Sequence, residues 1–118
     1  MLRIICAAAL LAAGCLVVHA AEVGGKYEVR GTNPDGSHYS GTAEISRTAK
    51  YTCRITWDVG TQSSGICMLN GAAFAAGYTL NDKVGLVIYE LRDDGTLDGA
   101  WTIADEDGFG TEVLIPQK

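Results

Sequence analysis

From Ala21 to the C-terminus the chain is a succession of short segments in which apolar and polar residues alternate, and no stretch holds apolar residues at helical spacing for long. Gly, Asn and Asp clusters end each segment. Tyr27 and Val29 alternate within Lys26 to Arg30, and Gly31-Thr32-Asn33-Pro34-Asp35-Gly36 then stacks turn formers, with Pro34 fixing φ and Gly36 free to take positive φ. A second strand, Ser37 to Ser46, places Tyr39, Gly41, Ala43 and Ile45 on one face. A third, Tyr51 to Trp57, places Tyr51, Cys53, Ile55 and Trp57 inward, with Thr52, Arg54 and Thr56 facing water. The turn at Asp58-Val59-Gly60-Thr61 leads to a fourth strand, Ser64 to Leu69.

Asn70-Gly71 turns the chain into Ala72 to Leu80, where Phe74, Ala76, Tyr78 and Leu80 alternate. An Ala-rich helix is the other reading there, and Gly71, Gly77 and the period-two aromatics favour a strand. After Asn81-Asp82-Lys83, Val84 to Leu91 is a nearly continuous apolar run, expected of a strand covered on both faces or lying at an interface. Asp93-Asp94-Gly95-Thr96 is a hairpin turn before Leu97, Gly99, Trp101 and Ile103. A last strand, Thr111 to Ile115, ends at Pro116, where a missing N–H costs nothing. Eight strands joined by short connections predict an all-β, antiparallel up-and-down meander that closes into a barrel and so removes its exposed edges. A faint internal echo relates Asp35-Gly36-Ser37, with Tyr39 and Gly41 beyond it, to Asp94-Gly95-Thr96 with Leu97 and Gly99.

The N-terminus reads differently. Arg3 precedes an uncharged run from Ile4 to Val18, and Val18-His19-Ala20 places compact side chains where a signal peptidase reads them, which predicts a signal peptide over residues 1–20 cleaved after Ala20. The run is too short to cross a bilayer as a helix, and Glu22 and Lys26 follow it at once. Ala12-Ala13-Gly14-Cys15 offers the alternative of a lipoprotein box, with the mature protein anchored through Cys15. Ala12 stands where Leu is usual, and Leu16-Val17-Val18 stands where a polar tether is usual. The remaining residues 21–118 are enough for one domain and not for two. The expected location is the periplasm or the exterior.

Of the four cysteines, Cys6 and Cys15 belong to the signal, which leaves Cys53 and Cys67 as an even pair in an oxidising compartment. Pairing about Gly60 sets them directly opposite each other, close enough for a disulfide that staples a hairpin. A zinc site on these two thiolates would need further ligands, and His38 is the only histidine after the signal. No metal and no cofactor is therefore expected. Asp105, Asp107 and Gly108 resemble the start of a calcium loop without its closing Glu.

The formal charge of −5 and the lack of clustered Lys and Arg exclude nucleic acid as an expected partner. No catalytic set stands out. His38 reads as a residue flanking a turn, and the acids read as solvated turn residues, poorly placed for the raised pKa of a general acid. An enzyme is the least favoured class. Trp57 and Trp101 lie on inward faces close to strand ends, with Tyr27, Tyr39, Tyr51 and Tyr78 on the same parity. Core filling is the plainer reading of these rings. The sharper one makes Tyr39, Trp57, Tyr78 and Trp101 a site for an apolar or planar ligand, whose orientation N–H and O–H groups would set. The partner is then a small ligand, or else an envelope or extracellular protein, with Val84 to Leu91 the candidate contact for a homodimer.

Two stretches, Tyr27 to Gly41 and Asp94 to Trp101, resemble a family of small exported bacterial proteins sometimes labelled fibronectin-binding, in which Cys53 and Cys67 look like an addition. The resemblance implies export and a small all-β domain and carries over no catalytic residue. Gly95-Thr96-Leu97-Asp98-Gly99 with Trp101 is also similar to a hairpin of the avidin-type barrels, which implies an avidin- or lipocalin-like barrel. The C-terminal half lacks the Trp-rich strand that holds the ligand in that family, so biotin binding is not implied.

Overall fold

Eight antiparallel strands follow one another around a closed barrel in which each pairs with its neighbours in sequence and the last pairs with the first. They are β1 (Gly25–Thr32), β2 (His38–Arg47), β3 (Cys53–Asp58), β4 (Gln62–Asn70), β5 (Ala73–Leu80), β6 (Lys83–Leu91), β7 (Leu97–Ile103) and β8 (Gly110–Pro116). The computed structural model describes residues 22–118, so cleavage after Ala20 and lipidation at Cys15 lie outside the described residues. No helix among the described residues is long and apolar enough to cross a membrane.

Alternation along the strands builds the interior. Tyr27 and Val29 of β1, Ala43 and Ile45 of β2, Ile55 and Trp57 of β3, and Phe74, Ala76 and Tyr78 of β5 are all buried, and Leu97 of β7 and Leu114 of β8 meet them. Cys53 and Cys67 are register partners across β3 and β4, 4.9 Å apart between Cα atoms, and are bonded. The covalent staple sits in the half of the barrel away from the β3–β4 turn. A disulfide of this kind belongs to an oxidising, non-cytoplasmic compartment.

The Asp-Gly turns repeat in detail. In the β1–β2 turn the Asn33 amide donates to the Ser37 carbonyl at 2.7 Å, and in the β6–β7 turn the Arg92 amide donates to the Thr96 carbonyl at 2.9 Å. Asp35 accepts from the Ser37 amide and Asp94 from the Thr96 amide, each at 2.9 Å, with Gly36 and Gly95 at φ 90° and 89°. The Ser37 hydroxyl, donating to Asp35 at 2.6 Å, and then the Ser37 amide hold Asp35 below the usual carboxylate range, and the Thr96 amide foremost does the same for Asp94. The echo stops at the turns, because Tyr39 lies four residues beyond its Asp and Leu97 only three beyond its own. Asn81 and Asp82 both take positive φ, the geometry of a two-residue hairpin that follows the twist of its strands.

Two expectations are corrected. Tyr51 is not inward: β3 begins at Cys53, and Tyr51 lies 68% exposed in the preceding loop with the Lys50 ammonium 5.4 Å from its ring centre. The loop backbone breaks the period-two pattern two residues before the strand. Val84 to Leu91 is not covered on both faces either. Gly85, Val87 and Tyr89 face the interior, while Val84, Leu86 and Ile88 face outward and are exposed. A barrel strand has one enclosed face, so the continuous apolar run reflects an apolar exterior.

Candidate ligand-binding site at the barrel mouth

Val29, Ile45, Ile55, Phe74, Leu97 and Leu114 pack the interior, and aromatic side chains line a hollow at one end. Four hairpin turns, β1–β2, β3–β4, β5–β6 and β7–β8, surround the hollow end. A cavity of about 250 Å³ opens there. Tyr39, Trp57, Tyr78 and Trp101 all line it, with Glu112 among them. The four aromatics selected from the sequence thus come from β2, β3, β5 and β7 to one place.

Each ring is held by its neighbours. Tyr39, Tyr78 and Trp101 stand directly across from Gly31, Gly85 and Gly110 in the adjacent strands, and each ring occupies the space that a Cβ on that glycine would fill. Cross-strand pairing of an aromatic with glycine buries the ring without widening the sheet. Trp57 and Tyr78 meet edge to face with centroids 5.2 Å apart, and Tyr39 meets Trp101 in the same way at 6.4 Å. Tyr78 donates its hydroxyl to the Thr102 carbonyl at 3.2 Å. Burial first, and the Glu112 charge second, push its pKa up to about 12. Trp101 Nε1 is buried and has no hydrogen-bond acceptor.

Glu112 is the residue that sequence reasoning missed. It lies in β8, is 6% exposed, and is the one buried charged residue among those described. Its Oε1 accepts from the Tyr39 hydroxyl at 2.8 Å; its Oε2 accepts from Trp57 Nε1 at 3.0 Å and from the Tyr89 hydroxyl. Desolvation raises its pKa against the opposing pull of these three donors. The reading of the acids as solvated turn residues therefore fails at this position. Tyr89, hidden in the apolar run of β6, was not singled out either. The available signal was parity: Glu112 shares its face with Gly110 and Leu114, but Val113 and Ile115 on the other face are equally apolar, so alternation alone does not choose between them.

His38 is exposed, with Nδ1 3.3 Å from Thr32 Oγ1, and does not reach the cavity lining. Among the described residues no group of His, Cys, Asp and Glu is arranged to hold a metal ion. No second carboxylate lines the cavity beside Glu112. The arrangement suits noncovalent enclosure of a small molecule by ring surfaces, with a hydrogen-bonded carboxylate to orient it.

Comparison with known protein families finds no family model that matches, and no curated protein matches the sequence. Among solved structures the chain is similar to a redesigned β-barrel, with a TM-score of 0.72 and 17% identity over 80% of this chain and 91% of that one. Similarity at this identity concerns the barrel itself, so the case for function rests on the residues at the mouth.

Proposed function

We propose that this protein is a non-catalytic binding module of the periplasm or the cell exterior, taking a small ligand into the mouth of the barrel. The observation that carries this reading is the cavity of about 250 Å³ in which Tyr39, Trp57, Tyr78 and Trp101 surround Glu112. Its volume lies below the ~300–1,000 Å³ of common drug-sized pockets, so the ligand is small. Thermal-shift screening against small aromatics, amines, sugars and lipid headgroups tests it. At least one compound should raise the midpoint and alter the emission of Trp57 and Trp101. Uniform silence across the panel rejects the reading.

Export follows from the signal-like residues 1–20 and agrees with the bonded Cys53–Cys67 pair. Intact mass of protein from its native envelope separates a chain starting at Ala21 from one lipidated at Cys15.

A second reading, a homodimer, rests on the outer face of β4 to β7. Ile66, Gly77 and Leu86 are register partners in one row, and Met68, Ala75 and Ile88 in the next, so two apolar ridges flank a furrow of small residues. Leu86 and Ile88 are 62% and 59% exposed. A ridge of one copy set into the furrow of another would make the isologous contact that a two-fold dimer requires. Light scattering of the wild type beside Leu86→Glu tests it; a monomer at all concentrations rejects it.

A further inference from the structure

We propose that the mouth selects a small organic cation of the alkylammonium or quaternary ammonium class, enclosed by the aromatic rings with its charge toward Glu112. The proposal names the ligand class of the binding site described above and rests on that reading.

Charge inside the cavity is the first argument. Glu112 is the only ionisable acid or base other than tyrosine among the residues that line it, and no Lys, Arg or His pairs with it among the described residues. Its three donors are neutral hydroxyl and indole groups, which orient the carboxylate without cancelling its charge. Oε2 accepts two of these hydrogen bonds and Oε1 one, so an acceptor site remains on Oε1. An anionic ligand would face this carboxylate with no cation to offset it. A cationic ligand supplies the missing counter-charge beside a carboxylate that is itself only 6% exposed.

The rings are the second argument. Trp and Tyr attract cations through the negative faces of their π systems, most strongly where water is excluded, and a small apolar ammonium ion suits a cavity walled by four of them.

The third argument is independent of the cavity. The turns at the mouth and the strand ends beside them carry Asp35, Asp58, Asp82, Asp105, Glu106 and Asp107, and Lys83, paired to Glu106, is their only Lys or Arg. The turns and strand ends at the opposite end carry Arg47, Lys50 and Arg92 against Asp93 and Asp94, so the acidic excess lies at the mouth. The barrel is thus polarised, and an acidic rim concentrates cations at the opening and speeds their entry at low salt.

Calorimetric titration of the exported chain with choline, and with its uncharged isostere in which carbon replaces the ammonium nitrogen, tests the proposal. Choline should bind at least about tenfold more tightly than the isostere. Glu112→Gln should narrow that preference without abolishing isostere binding. Asp105→Asn combined with Asp107→Asn, which leaves the cavity wall intact, should slow choline association at low salt. Should Glu112→Gln fail to fold, the wild-type comparison of the two probes still decides. Equal or tighter binding of the isostere overturns the cation class while the binding reading stands. Binding of neither probe also overturns it, and the wider thermal-shift panel then judges the binding reading separately.

Discussion

Trp101 of β7 lies over Gly110 of β8, its register partner, with indole atoms in the space a side chain at position 110 would need. The glycine is therefore a seat for the ring. Gly110→Ala should push the indole into the cavity and destabilise the barrel by about 1–3 kcal/mol, the usual effect of overpacking. Urea unfolding and tryptophan emission report both changes. Gly77→Ala is the control, because a Cβ there meets only Leu86 Cδ2 at 3.9 Å on the outer surface. If the two variants unfold alike, the seat has no structural role.

Three donors converge on Glu112, so its removal should cost far more than its neutralisation. Glu112→Ala leaves Tyr39, Trp57 Nε1 and Tyr89 without an acceptor and opens a void, with an expected loss of about 3–5 kcal/mol. Glu112→Gln can keep its oxygen toward Trp57 and Tyr89 and turn its amide to Tyr39, whose hydroxyl reverses to accept. Its expected loss is about 1 kcal/mol or less. Equal losses in urea unfolding would mean that charge, and not hydrogen bonding, holds the cluster.

Burial raises the pKa of Glu112 above that of an unfolded chain, about 4.3. Between the unfolded and folded values the native state holds the extra proton. The stability linked to this group is present below about pH 4 and is lost as pH rises through the folded value. No basic side chain shares the cluster, and the facing titratable groups, Tyr39, Tyr78 and Tyr89, all have raised pKa values and stay neutral there. The wild type should therefore lose stability relative to Glu112→Gln as pH increases from 4 to 8. A difference that stays constant with pH would contradict the assignment.

The strands and the four mouth aromatics were legible because alternation and turn chemistry are local. Trp57 and Trp101 announce their faces through neighbours two residues away, and Asp35-Gly36 and Asp94-Gly95 close their turns with hydrogen bonds inside five residues. Glu112 was not legible because its burial depends on Tyr39, Trp57 and Tyr89, three strands that are distant in sequence and meet only when the barrel closes. Tyr51 misled for the opposite reason: its parity matches β3, but the strand starts at Cys53 and the loop before it obeys no period. The apolar run of β6 suggested cover on both faces or an interface; the fold provides one enclosed face and one apolar outer face, which removes only the first of these.

The disulfide and the mouth are separable in the same way as the two halves of the barrel. Cys53 and Cys67 bridge β3 and β4 toward the end away from the mouth, whereas Trp57 and Ser63, the register pair that lines the mouth cavity, lie four residues nearer the β3–β4 turn. Closing a loop of about 15 residues stabilises by about 3 kcal/mol in the chain-entropy model. Cys53→Ala with Cys67→Ala should therefore lower the unfolding free energy obtained from urea titration by that order, while Ile55, Phe74 and Leu97 keep the core closed. Far-ultraviolet circular dichroism should still report the barrel below the new midpoint, and tryptophan emission should match the wild type. A double variant that unfolds in buffer would show that the packed core cannot hold the barrel without its staple. A folded one with altered emission would show that the two ends are coupled through β3, where Trp57 lies on the same face as Cys53, four residues along the strand.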